Sequence, residues 1–95
     1  MLEKEIEKAL VKQVQVLDGW CLKLTSPSAA GLPDRLLLMP HGRVVFVEVK
    51  RPGQKPRPLQ VKRFKRLRDL GFKVYVLDDK VKIPDILKEV MTSGV

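Results

Sequence analysis

Two short apolar segments, Asp34–Met39 and Arg43–Lys50, flank the tripeptide Pro40-His41-Gly42, and no other stretch constrains the fold as much. Runs rich in Leu, Val and Phe separated by turn formers read as a β-hairpin. In a three-residue loop built on a type I turn, Pro40 suits the first turn position and Gly42 the left-handed one at the bulge. Met39 then opposes Arg43, paired residue numbers sum to 82, and Asp34 falls opposite Glu48. Strand side chains alternate, so both carboxylates share one face with Lys50, two positions beyond Glu48. A two-residue His41-Gly42 loop would instead set Asp34 against Val49 and divide the carboxylates between faces.

The flanking sequence supplies the rest of an α/β domain. Residues 3–17 place Ile6, Leu10, Val14 and Leu17 at helical spacing, with Lys4, Lys8 and Lys12 together on another face, and Gly19 is the expected stop. Trp20–Thr25 reads as a strand, followed by a turn-rich loop to Pro33; Trp20 and Cys21 are expected in the core. The proline-rich stretch Arg51–Pro58 cannot continue a central strand. A second helix is expected over Pro58–Leu70, with Gly71 as its stop, then a strand over Phe72–Leu77 and a short helix over Ile83–Met91. Both faces of the hairpin are apolar, which puts it in the middle of the sheet. The order α-β-β-β-α-β-α predicts one α/β domain over residues 1–95, a mixed sheet of about four strands flanked by helices.

Composition narrows the function. The longest strictly apolar runs are four residues each, far short of the roughly 18 needed to cross a bilayer, so no membrane partner is expected. Acids among the first eight residues argue against a secretion signal, and an intracellular protein is expected. One Cys and one His serve a disulfide, a zinc ribbon or a Cys–His nucleophile poorly. With 19 Lys plus Arg against 11 Asp plus Glu, the net charge is +8, and the stretch from Lys50 to Arg68 holds nine basic residues and no acid. That concentration is the footprint of a polyanion partner.

Asp34 and Glu48 on opposing strands would repel by about 4 kcal/mol at 4 Å and an effective dielectric near 20, so a positive group belongs between them. Their oxygens, with the Val49 carbonyl, suit a hard divalent cation such as Mg²⁺. Lys50 would position water and stabilise charge on a phosphate, a combination suited to phosphodiester hydrolysis. Either Glu3 or Glu7 of the first helix is a candidate further acid. Gln60, on the second helix, is placed either to reach a phosphate or metal-bound water or to bond locally. Arg57, Lys62, Arg63, Lys65 and Arg66, with Arg68, form the candidate phosphate-contact group, and Lys23, Ser26, Ser28 and Arg35 surround the loop opening the site. The competing reading is a basic nucleic-acid-binding module in which the carboxylates are structural.

Gly31-Leu32-Pro33-Asp34, then Glu48-Val49-Lys50 after a hairpin, then Gln60 on a helix, resemble the PD-(D/E)XK, or restriction endonuclease-like, superfamily. Within it the pattern is similar to the VRR-NUC domain, through Gly-x-Pro-Asp-Arg, Phe-Val-Glu-Val-Lys and Arg-Pro-Leu-Gln, with similarity from Glu3 to Leu77. The resemblance implies Mg²⁺ or Mn²⁺ held by Asp34, Glu48 and the Val49 carbonyl, help from Lys50, and an acid matching Glu3 or Glu7. It implies further that stand-alone members, common in phages and bacteria, are structure-selective DNA endonucleases, some relatives serving DNA repair. A homodimer with twofold-related sites would suit a four-way junction, as in a Holliday junction resolvase.

Overall fold

The computed structural model describes residues 1–25 and 30–92. Among the described residues, seven α-helices and β-strands follow in the expected order: α1 (Glu3–Val16), β1 (Trp20–Lys23), β2 (Arg35–Met39), β3 (Arg43–Val49), α2 (Pro58–Asp69), β4 (Lys73–Leu77) and α3 (Ile83–Thr92). The sheet order is β1-β2-β3-β4, so the hairpin occupies its centre. β1, β2 and β3 are antiparallel, and β4, reached through the α2 crossover, is parallel to β3. The result is an α/β fold with a mixed four-stranded sheet between helices.

Met39 pairs with Arg43 and Arg35 with Val47, so every β2–β3 pair sums to 82 as the turn chemistry requires. The turn itself differs from the type I expectation. His41 (φ 66°) and Gly42 (φ 71°) are both left-handed, which a histidine accepts more readily than most side chains. Conformation changed within the loop while its length, and therefore the register, did not.

The register sorts side chains between two layers. Leu37, Val45, Val47 and Val49 face α1 and α3, where Ile6, Leu10, Val14, Ile83 and Leu87 close the main core. Burying each such aliphatic contributes roughly 1.5–3 kcal/mol. Phe46, Glu48 and Lys50 alternate to the other face, where Gln60 of α2 bonds Glu48 and the Phe72 ring meets Phe46 edge-on at 5.6 Å. The end of α1 turns at Asp18 (φ 61°) rather than at Gly19. Gly19 lies so close to Met39 that a Cβ would stand 2.5 Å from the Met39 sulfur.

Two core expectations are corrected. Trp20 is 65% exposed, because β1 is a short edge strand with a neighbour on one side only. Cys21 is half-buried at the margin of the core.

Candidate active site

Asp34 stands just before β2 and Glu48 near the end of β3, where the regular ladder gives out and the carboxylates take over its bonding. The Asp34 N–H donates to Glu48 Oε1 at 3.1 Å, and the Val49 N–H donates to Asp34 Oδ2 at 3.2 Å. Glu48 is 2% exposed, so its charge needs local compensation. The Lys50 ammonium supplies it at 2.9 Å from Glu48 Oε2, and Gln60 Nε2 donates to the same oxygen at 2.8 Å.

Gln60 has a double task. Its Oε1 accepts the Arg57 N–H at 2.9 Å, closing the first turn of α2, while its amide nitrogen holds Glu48. The two alternatives left open by the sequence therefore converge: the local cap is made, and it orients an acid of the site. Only 5% of Gln60 and 7% of Lys50 are exposed.

Asp34 is only half withdrawn from solvent. Burial pushes its carboxyl above the ordinary range, the Glu48 charge adds to that push, and the Val49 N–H opposes it, with smaller effects from Glu7 upward and Lys50 downward. Such an excess of negative charge is what a bound cation would relieve. A continuation of the β2–β3 register sets Val49 opposite Pro33, which has no N–H for the Val49 carbonyl. Two carboxylates and a carbonyl without a ladder donor fit a hard divalent ion that retains waters and takes phosphate oxygens as further ligands. Among the described residues no group of three His, Cys, Asp or Glu side chains assembles.

The helix acids separate. Glu7 is half-buried and its carboxylate pairs with Arg35 Nε at 3.2 Å, near enough to Asp34 to influence its ionisation. Glu3 is exposed and has no comparable partner among the described residues. The Arg35 pairing joins residues 28 positions apart and leaves no local signal in the sequence.

The candidate DNA contacts also separate, by face. Arg57, just before α2, and Lys62, Arg63, Lys65 and Arg66 on it are exposed, and Lys65 pairs with Asp69 at 2.9 Å. Arg68 donates to the Val74 carbonyl at 2.7 Å and so ties α2 to β4. Lys23 and Arg35 are directly paired across β1 and β2 on the α1 face. Ser26 and Ser28 lie outside the described residues. Among those residues, no helix is long and apolar enough to cross a membrane.

The family model of the VRR-NUC domain matches residues 1–80. A protein named "Putative nuclease p44", from Acyrthosiphon pisum secondary endosymbiont phage 1, is 46% identical over 78 residues, covering 82% of this chain and 84% of that protein. A solved structure described as a VRR_NUC domain superposes with a TM-score of 0.85 at 30% identity, covering 90% of this chain and 94% of that one. By extent of match, by sequence and by fold, the chain belongs to the VRR-NUC domain family.

Proposed function

We propose that this VRR-NUC protein is a Mg²⁺- or Mn²⁺-dependent DNA endonuclease that hydrolyses phosphodiester bonds and selects branched DNA. The observation that carries the reading is the buried cluster in which Asp34 and Glu48 lock each other's strands while Lys50 and Gln60 converge on Glu48. The family and the nuclease-named relative support the same class of chemistry.

Asp34, Glu48 and the Val49 carbonyl would hold the cation, which when bound supplies Lewis acidity at the scissile phosphate. Lys50 directs its ammonium to the same place, where it orients the attacking water and stabilises the charge that develops on the phosphate oxygens. Gln60 keeps Glu48 in one orientation, so the acid need not reorganise as the phosphate arrives. Glu7, which pairs with Arg35 and raises the Asp34 pKa, is the helix acid this reading assigns beside Asp34. The exposed cations of α2 hold the DNA backbone and make affinity fall with salt. Cleavage of a four-way junction by a homodimer, in the manner of a Holliday junction resolvase, is the specific form of this proposal, since two copies would present two sites.

The test is a cleavage panel of four-way junction, flap, single-stranded and duplex DNA with Mg²⁺, with Mn²⁺ and with a chelator, using Asp34→Asn as the inactive control. Metal-dependent cutting that Asp34→Asn abolishes is the expected result. Intact DNA throughout would leave the basic binding module as the better reading, and equal rates on all substrates would remove the branch preference. Light scattering at the 10.8 kDa of one chain would remove the homodimer.

A further inference from the structure

Two groups of basic residues come to lie on opposite sides of the sheet. One is on α2. The other lies across the sheet, in a groove of about 330 Å³ along α1 whose lining includes Lys4, Lys8, Lys12 and Arg35, with Glu7 as its acid. Lys23 is paired directly opposite Arg35 and faces the same side.

This surface gathers like charge that Glu7, paired with Arg35, offsets only in part. Lys4, Lys8 and Lys12 are exposed at successive i, i+4 positions, which forms a row about 12 Å long at 1.5 Å rise per residue. Like charges at that spacing weaken a helix, and like charges directly opposite on neighbouring strands weaken a sheet. Two exposed lysines elsewhere do find acids, Lys65 with Asp69 and Lys82 with Asp78. Among the described residues none of the three α1 lysines has an ion pair, and Glu7 is already engaged by Arg35. A row of three lysines without ion pairs along one groove, with Lys23 beside it on the same side of the sheet, fits a polyanion.

Its position relates it to the chemistry. Asp34 and Arg35 are consecutive, the first bonded to the Glu48–Val49 segment and the second to Glu7 of α1. The groove therefore begins one residue from the candidate site, on the opposite side of the sheet from α2.

We propose that this groove binds the sugar–phosphate backbone of a second DNA segment while α2 holds the first, so that one protomer grips two arms on opposite faces of its sheet. The inference rests on the nuclease reading for its choice of DNA as the polyanion. A branched substrate offers two diverging backbones near one linkage, and a linear duplex does not.

The test compares Lys4→Gln/Lys8→Gln/Lys12→Gln with Lys73→Gln/Lys80→Gln/Lys88→Gln, which removes equal charge from exposed positions elsewhere. Binding of a fluorescein-labelled four-way junction, and of a linear duplex of equal length, is measured by anisotropy in chelator over a range of KCl. For the junction, the α1 variant is expected to have a salt slope shallower by about 3 and at least about tenfold weaker affinity than the control variant. The linear duplex should change much less. Thermal melting should place the α1 variant at or above wild type, because repulsion has been removed. An α1 variant that matches the control, or that loses junction and duplex affinity equally, overturns the inference. Wild-type binding to anionic phospholipid vesicles in preference to DNA also overturns it. Cleavage by wild type with Mn²⁺ reports separately: a protein that binds through these lysines and never cuts retains this inference and loses the nuclease reading.

Discussion

Asp34 and Glu48 are joined through each other's backbones: Asp34 donates its N–H to Glu48 Oε1 at 3.1 Å, while its own carboxylate accepts the N–H of the residue after Glu48 at 3.2 Å. Two like charges are thus held in place by dipoles as well as by Lys50. Each acid is positioned by the strand that carries the other.

The Lys50–Glu48 pair has a stability consequence. Lys50→Ala leaves Glu48 charged and buried, and breaking a buried pair in this way costs about 3–5 kcal/mol. Adding Glu48→Gln removes the stranded charge and should restore most of the loss in urea denaturation, while cleavage stays absent in both variants. A double variant no more stable than Lys50→Ala would contradict the pairing.

Asp34 predicts a pH dependence of opposite sign to that of most carboxylates. Its pKa is raised in the folded state, so ionisation costs stability as pH rises from the unfolded value of about 3.9 through the folded one. Asp34→Asn removes that cost and retains an acceptor for the Val49 N–H. In chelator the variant should melt at or above wild type at pH 8, with the gap closing as pH falls toward 4. A wild type more stable at pH 8 would refute the assignment.

The double task of Gln60 can be dissected. Gln60→Ala loses both the cap and the bond to Glu48, at a cost of about 1–3 kcal/mol. Gln60→Glu keeps an acceptor for the Arg57 N–H but sets an anion against Glu48. Both should cut at least tenfold more slowly. Only Gln60→Glu should regain stability on adding Mn²⁺, as read by the shift in melting temperature.

Gly31 lies in the turn that leads into Asp34, at φ 81°, and a Cβ there would stand 2.8 Å from side-chain carbons of both Leu59 and Arg63. Gly53 has φ 80° with nothing within 4 Å of such a Cβ. Gly53→Ala bears the conformational cost alone, about 1 kcal/mol. Gly31→Ala should exceed it in chemical denaturation and also slow cleavage, because α2 is pushed away from the site. Equal losses would mean that the close approach is unimportant.

The central hairpin was legible because loop length and side-chain alternation together leave few registers, and Asp34, Glu48 and Lys50 came to one place with it. Gln60 was visible as a polar residue on the inner face of α2, but its simultaneous bonds required the angle at which that helix crosses the sheet. Glu7 and Arg35 were each visible and their partnership was not, because the approach of α1 to β2 is set by core packing rather than by local pattern. Trp20 read as core from its hydrophobicity alone, whereas its exposure follows from β1 being an edge. The left-handed His41 shows that a turn can change its dihedral angles and still deliver the same pairing.

The amide of Gln60 joins the beginning of a helix to the orientation of an acid, and this limits how the family's chemistry can diverge in this chain. A substitution that shifts where α2 starts also turns Glu48, and one that retunes Glu48 also frays the start of α2. Helix start and acid orientation are therefore inherited together, and selection on either is felt by both.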